Sequence, residues 1–286
     1  MPHDKSLARL DARFPSRRAL VTGGASGLGL AVAGTLAVRG WHLGLLDLDG
    51  GRLQEAAARL AGAGAGSVWT RAVDTRDEPA LRAAVDAFAA GRGGLDLAFN
   101  SAGVAVAGRF LETPAGDWDW VVAINLLGVA ASCRAELPHM VAARAGLVVN
   151  VASAAGFVSG ADMSAYNASK AAVIALSETL AQEHQADGVQ VSVAMPGFFR
   201  TRLLEQARAP AAALGTARRI MHASNLEADA VAREILARVA DGEGHVVLPR
   251  EDRWLWRFQR LSPRWFQRFM VDFRARKEAA ARARRG

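Results

Sequence analysis

Tyr166 and Lys170 lie four residues apart, and on a helix that spacing puts a phenol and an ammonium on one face. Composition makes the pair conspicuous. Tyr166 is the one tyrosine of the chain, and Lys5, Lys170 and Lys277 are its three lysines among 35 basic residues. A sequence that otherwise uses arginine keeps lysine here, which suggests a need for a compact charge able to reach a phenol and a second hydroxyl together. The chemistry such a pair could do is proton transfer at an alcohol or carbonyl oxygen. Hydride transfer at the carbon needs a partner that moves the hydroxyl proton. A phenol of pKa about 10 is a poor base at neutral pH, and a nearby cation favours the phenolate. Ser153, thirteen residues before Tyr166 in Asn-Val-Ala-Ser-Ala-Ala-Gly, follows an apolar run, and its hydroxyl can donate to a developing oxyanion.

A hydride needs a carrier, and residues 19–29 offer it a place. Ala-Leu-Val-Thr-Gly-Gly-Ala-Ser-Gly-Leu-Gly reads as strand, glycine turn and helix, so that backbone N–H groups can approach a pyrophosphate at the helix N-terminus. Alone this signal is weak, because small residues also serve tight strand–helix packing. Asp47 strengthens it. It ends the second candidate strand 18 residues beyond Gly29, close to the ~20 expected for an acid on an adenosine ribose. A carboxylate there accepts from both ribose hydroxyls and repels a 2′-phosphate. No Arg or Lys in the glycine turn or directly after Asp47 compensates, so NAD is expected over NADP. The alternative is a solvated strand-end aspartate. Asp74, closing the third strand, is a candidate acceptor for the adenine amino group. Asn100-Ser101-Ala102-Gly103, closing the fourth, supplies small residues at a C-terminal strand end, where open α/β sheets bind ligands.

These residues need a scaffold, and the pattern of the chain predicts one. Candidate strands are Ala19–Val21, Leu43–Leu46, Val68–Val73, Leu95–Phe99, Leu147–Val151, Val189–Ala194 and His245–Leu248. Candidate helices between them include Leu28–Arg39, Leu81–Ala90, Ala165–His184 and Ala228–Val239. The strands are continuous apolar runs, as expected when both faces of a parallel sheet are covered. The alternation predicts an α/β fold with one Rossmann-like, doubly wound parallel sheet of seven strands and helices on both faces. No repeat or linker divides it, and Ala61–Gly66 reads as a loop.

With 286 residues and 51% hydrophobic composition, the chain can bury a sizeable core. Its single cysteine, Cys133, excludes an intrachain disulfide and fits a reducing, cytoplasmic setting. Met1–Arg18 has no apolar h-region, so no signal peptide is expected. Ala19–Val38 carries no charge, but its glycines argue for a buried strand, turn and helix rather than a membrane span. No metal-ligand cluster is apparent. His139 and His184 lack ligand spacing, and Cys133 is expected in a helix interface.

The net charge of +7 is unevenly placed. From Arg250 onward there are 12 Lys+Arg against 4 Asp+Glu, which leaves a nearly neutral body. In that tail Trp254, Phe258, Leu261, Trp265, Phe269 and Phe273 recur every three or four residues, interleaved with Arg257, Arg260, Arg264 and Arg268, and Pro263 should break the run into two helices. A basic amphipathic stretch of this kind suits an anionic membrane surface. It equally suits packing on the body or on a second subunit. Nucleic-acid binding is not expected, since the body is neutral.

Thr22-Gly23-x-x-x-Gly27-x-Gly29, Asn100-Ser101-Ala102-Gly103, Asn125 in Ile-Asn-Leu-Leu-Gly, Ser153, Tyr166-x-x-x-Lys170, and Pro196-Gly197 with Thr201 occur in that order. From about Arg18 to Pro249 the chain therefore resembles the short-chain dehydrogenase/reductase family of the compact, single-domain type. Ser101, at the second position of the family's Asn-Asn-Ala-Gly motif, is a mild departure. The resemblance implies a catalytic tetrad. Tyr166 would be the acid/base, and Lys170 would lower its pKa and bind the nicotinamide ribose. Ser153 would orient the substrate, and Asn125 would hold a water linking Lys170 to solvent. It also implies cofactor contacts at Gly23, Ser26, Gly27, Leu28 and Gly29 in the turn, at Asp47 and Leu48, and at Asp74 and Thr75. Asn100, Ala102 and Gly103 would follow, with Tyr166 and Lys170. Pro196, Gly197, Phe199 and Thr201 would surround the nicotinamide carboxamide.

One dinucleotide-binding and catalytic domain is thus expected over 1–249, with a substrate lid at about 202–225 and a basic, aromatic-rich helical extension over 250–286. Phe157, Phe198 and Phe199 are expected near the pocket unless they belong to the core, which points to a lipophilic alcohol or ketone. The expected activity is NAD-dependent alcohol–ketone interconversion in a homodimer or homotetramer. The alternatives are an NADPH-linked 3-oxoacyl reductase and a non-catalytic NAD-binding regulator.

Overall fold

A computed structural model describes residues 2–224 and 226–283. Helix α1 (Pro2–Arg13) precedes β1 (Arg18–Thr22), α2 (Gly27–Ala37), β2 (His42–Asp47), α3 (Gly50–Gly62), β3 (Ser67–Ala72), α4 (Glu78–Arg92) and β4 (Leu97–Asn100). Then come α5 (Ala115–Val122), a π-helical turn (Ala123–Gly128), α6 (Val129–Ala143), β5 (Gly146–Val151), α7 (Ala155–Val158), α8 (Ser164–Glu183) and β6 (Val189–Pro196). The chain continues through α9 (Ala211–Ala223), α10 (Ala228–Ala240), β7 (His245–Leu248), α11 (Arg253–Leu261) and α12 (Pro263–Ala283).

The seven strands form one parallel sheet in the order β3-β2-β1-β4-β5-β6-β7, as the apolar runs predict. Burial follows the strand faces. Alternate residues such as Ala19, Val21, Leu43 and Leu45 point toward α2, α3 and α10, while Leu20, Leu46, Ala98 and Val148 point toward α4, α6 and α8. Strand order reverses between β1 and β4, and at such a switch point the strand ends splay apart into a crevice. Local signals set the helix starts. Asp49 and Asp77 cap α3 and α4 by accepting from the N–H groups of Arg52 and Ala80.

Ala19–Val38 is strand, turn and core helix, not a membrane span. Another helical run, Ala115–Ala143, is apolar and long enough to cross a membrane, but 56% of its most apolar window is buried inside the protein. Helix α1 lies outside the elements expected from the pattern of the chain. Its Leu7 and Leu10, with Phe14 just beyond, are buried against the body, and Ser6 donates to Asp241 at the end of α10 (3.0 Å). Asp11 receives the Trp41 indole N–H (2.8 Å) and the Arg39 guanidinium. Those three apolar residues recur at i, i+3 and i+7, a helical stripe short enough to be hidden in a polar segment.

Candidate active site

The crevice at the strand ends is built from the glycine turn upward. Gly27 has φ +53°, and a Cβ there would stand 3.1 Å from the Thr201 hydroxyl across the crevice. Gly29 lies so close to the Gly23 carbonyl that a Cβ would sit 2.2 Å from its oxygen. The turn therefore needs these glycines on both sides, one for its conformation and facing space, the other for helix–turn contact. Ser26 precedes α2 and makes no side-chain capping bond, while Leu28 is buried behind the turn. Asp47, at the end of β2, reaches over the turn. One carboxylate oxygen accepts from the Ala25 N–H (3.1 Å), the other from the Asp49 N–H (3.2 Å). Leu48 beside it is exposed.

Further along the edge, the Asp74 carboxylate is clasped by Arg76 (2.5 Å), whose hydrogen bonds hold it below the usual carboxylate range. Thr75 is buried against Gly128 of the π-helical turn. Ala102 donates its N–H to the Thr22 hydroxyl (3.3 Å). Asn100 turns its side chain away from the crevice, donating to Glu136 (3.0 Å) and Asn150 (3.0 Å) in a buried polar cluster under the sheet. Only its backbone remains for a ligand. On the far wall the Pro196 carbonyl accepts from Ser153 Oγ (3.3 Å) and Ala154 N–H (2.9 Å), and Gly197 N–H donates to Leu248 (2.7 Å). Phe199 buries its ring in the core beside α10, leaving its backbone at the wall.

Tyr166 and Lys170 stand on the first two turns of α8 and are 6% and 4% exposed. Ser153 leaves β5 on the strand-end side, with its Oγ donating to Pro196 O (3.3 Å) and near enough to the Tyr166 phenol to favour its phenolate. The Lys170 ammonium donates to the Val151 carbonyl (2.8 Å) and lies 5.9 Å from the Tyr166 ring centroid. Burial lowers its pKa to about 8. Burial also raises the Tyr166 phenol above its ordinary value, opposed by the nearby Ser153 hydroxyl. Here the structure differs from the sequence expectation of a phenol lowered by Lys170. Tyr166 is almost fully buried, so desolvation of the phenolate outweighs the help it receives.

Asn125 is fully buried in the π-helical turn, a distortion frequent at functional sites. Its amide oxygen accepts from Val104 N–H (2.8 Å), and its amide nitrogen donates to Val104 O (2.9 Å) and Ser169 Oγ (3.2 Å). It thereby ties the loop after β4 to the residue beside Lys170. A Cβ on Gly103 would stand 3.5 Å from the Lys170 ammonium, so that glycine keeps the approach to it open.

The apolar wall around Tyr166 is not the one expected. Phe157 packs into the core on the α8 face, and Phe198 is exposed. Instead Trp118, Trp120, Met163, Leu203 and Ala207 gather around Val104, Val106 and Tyr166. Arg208, in the expected lid segment, lies over the Trp120 ring (4.0 Å) and pairs with Asp117 (2.9 Å). Two tryptophans two residues apart on α5 carried no motif, and only the fold brings them to the site. No group of three metal-ligating side chains occurs among the described residues.

The arrangement can hold a dinucleotide. The space facing Gly27, the uncapped N-terminus of α2 and the Asp47 carboxylate suit a pyrophosphate and a ribose, and the line from them along the strand ends leads to Tyr166.

Comparison with known proteins agrees with this geometry. Residues 17–212 match the short chain dehydrogenase family. The chain is 36% identical over 223 residues to 2-(R)-hydroxypropyl-CoM dehydrogenase of Xanthobacter autotrophicus, covering 73% of this chain and 89% of that one. It is 39% identical over 193 residues to D-threitol dehydrogenase of Mycolicibacterium smegmatis, covering 68% and 74%. Among solved structures, a short chain dehydrogenase/reductase from Burkholderia phymatum in complex with NAD superposes with a TM-score of 0.81 at 31% identity, covering 85% of this chain and 92% of that one.

Proposed function

The chain belongs to the short-chain dehydrogenase family, and from that premise we propose that it is an NAD-dependent oxidoreductase interconverting a lipophilic secondary alcohol and its ketone or aldehyde. The observation that carries the reading is the convergence of Tyr166, Ser153 and Lys170 at the strand ends, beside a glycine-lined cradle and against an apolar wall.

The nicotinamide, when bound, supplies or accepts the hydride. The protons fall to the chain's own residues. In reduction, Tyr166 donates its phenol proton to the carbonyl oxygen while Ser153 Oγ donates a hydrogen bond to the same oxygen. In oxidation, Tyr166 takes the hydroxyl proton. Lys170 holds positive charge below the phenol and binds the nicotinamide ribose through the same ammonium that now meets Val151. Both amide protons of Asn125 are used by Val104 and Ser169, while its oxygen accepts one bond and keeps a second lone pair. A water passing protons to Lys170 would rest on that lone pair, since the amide oxygen and the Lys170 ammonium both border Gly103.

The reading takes NAD over NADP because Asp47 stands at the ribose end of the cradle. Arg52, in the first turn of α3, is engaged by Asp49 (3.3 Å) and Glu205 (3.5 Å). Trp118, Trp120, Met163 and Leu203 favour a lipophilic substrate over a sugar. The relatives are named as dehydrogenases of 2-(R)-hydroxypropyl-CoM and D-threitol, which supports the class of reaction. We extend the proposal to a homodimer or homotetramer working in the cytoplasm, with residues 1–249 as the catalytic unit and about 202–225 as the substrate lid. The test is a panel of secondary alcohols and ketones assayed with NAD and NADP in parallel. Formation of NADH with apolar alcohols is the expected result. Tight NAD binding without turnover of any member would favour the non-catalytic alternative.

A further inference from the structure

The tail folds into two helices, as Pro263 predicts, and they face different surroundings. Helix α11 is docked on the body. Leu255 and Trp256 join the core on the α8 face, and the Trp256 ring lies 5.2 Å from His245. Arg253 pairs with Glu243 (3.0 Å) and Arg260 with Glu178 (2.7 Å). Helix α12 meets the rest of the molecule chiefly through α11. Between the two helices runs an aromatic seam. Phe258 meets Phe266 (5.7 Å) and Phe269 (6.1 Å), and Trp254 meets Phe269 (6.1 Å).

Phe266 fills the seam, but the apolar surface does not stop there. Trp254, Leu261 and Trp265 are 53%, 84% and 63% exposed. Monomeric surfaces rarely gather large apolar side chains in this way without a use for them. Around these residues stand Arg257, Arg264 and Arg268, all exposed, and none of the three is ion-paired among the described residues. Arg268 lies over the Trp265 ring (5.4 Å). Tryptophan with arginine at its edge is the composition of an interfacial helix, whose rings enter the headgroup layer while the guanidinium groups meet lipid phosphates.

We propose that α11 and α12 form a docking surface for an anionic lipid bilayer, with Trp254, Leu261 and Trp265 entering the interface and Arg257, Arg264 and Arg268 binding lipid headgroups. Charge complementarity selects this occupant over a second copy of the tail. Two such tails face to face would bring together two sets of arginines with no facing acidic set, since residues 253–283 hold Asp272 and Glu278 as their only acids. The surface is also placed for use. Helix α11 packs on α7, which begins two residues after Ser153. The proposal does not depend on the catalytic reading, because lipid binding is measured without turnover.

The test uses the full chain and sedimentation with two kinds of vesicle: phosphatidylcholine alone, and phosphatidylcholine with about one part in four phosphatidylserine. The protein should sediment with the anionic vesicles and be released by salt. Each arginine near such a surface strengthens partitioning about fivefold. Replacing Arg257, Arg264 and Arg268 by Gln should therefore weaken binding about a hundredfold. Leu261→Ser with Trp265→Ser should weaken it at high salt as well. All five side chains are exposed, so the variants should keep the wild-type circular dichroism and melting temperature. The proposal is overturned if the protein stays in the supernatant with anionic vesicles, or if both vesicle types bind it equally. It is also overturned if Trp265→Ser lowers the molecular mass in solution, which would assign the surface to a second copy.

Discussion

Lys170 should make the free protein less stable than it would be without its charge. Its ammonium is buried, held by one carbonyl, and has a pKa of about 8 in place of the ordinary 10.5. That displacement corresponds to about 3 kcal/mol at about 1.4 kcal/mol per pH unit. The sign is fixed by proton binding. Between pH 8 and about 10.5 the unfolded chain keeps the proton that the folded chain has lost, so stability rises with pH across that window. Below pH 8 both forms carry it, and the full cost of the buried charge is present. Lys170→Met keeps the unbranched stem and removes the charge. It also leaves the Val151 carbonyl unpaired, at a cost of ~1–3 kcal/mol. At pH 7 the variant should be equal in stability to the wild type or up to about 2 kcal/mol more stable. Near pH 10.5 it should be less stable by roughly 1–3 kcal/mol. Tyr166 titrates in both proteins, so its effect largely cancels in the difference. Urea denaturation of both proteins across this range measures it. A difference that stays constant with pH would refute the argument that burial holds the ammonium at about 8. Turnover should fall in the variant even where its stability rises, because the charge that burdens the fold is the one assigned to the phenol and the ribose.

A second buried ionisable group lies below the sheet. Glu136 is fully buried, with one carboxyl oxygen unpaired, and burial raises it to about 7. Its neutral form is therefore the one the fold prefers. The stability this gives is complete below about pH 4.5 and is lost as pH rises through 7, so Glu136→Gln should flatten that decline and stabilise the protein at pH 8 by about 3 kcal/mol. Thermal melts at both pH values check it, and an unchanged pH profile would contradict it. At the cofactor end, Asp47→Ala should lower the preference for NAD over NADP by about tenfold to a hundredfold, the worth of a charged hydrogen bond. The ratio of kcat/KM for the two cofactors reads this directly, and an unchanged ratio would remove Asp47 from the ribose site.

Much of this was legible in the chain, for identifiable reasons. The seven strands could be located because each is a short apolar run between helical stretches. Tyr166 and Lys170 could be paired because helical spacing is local. What depended on long-range orientation was not legible. Asn100 closes its strand where expected, but the side-chain alternation of β4 turns its amide down to Glu136 and Asn150. Phe157 and Phe198 lie near the site in sequence, yet one packs into the core and the other faces outward. Trp118 and Trp120 reach the site from α5, with no motif to mark them. The Tyr166 phenol was expected low from its neighbour's charge and is high, because the degree of enclosure cannot be read from spacing. In the tail, periodicity predicted two helices but not which would dock. Helix α11 docks through Leu255 and Trp256 on the core, with Arg260 reaching Glu178, 82 residues earlier in the chain.

The central claim is that Tyr166 moves the proton in an NAD-linked alcohol oxidation, and Tyr166→Phe tests it most directly. The substitution removes one oxygen and keeps the ring that packs against Val104 and Val106. With an alcohol that the wild type oxidises, kcat for NADH formation should fall by about a hundredfold to ten-thousandfold, the usual contribution of a positioned acid/base group. NAD should bind with unchanged affinity. A variant that keeps wild-type turnover would contradict the account.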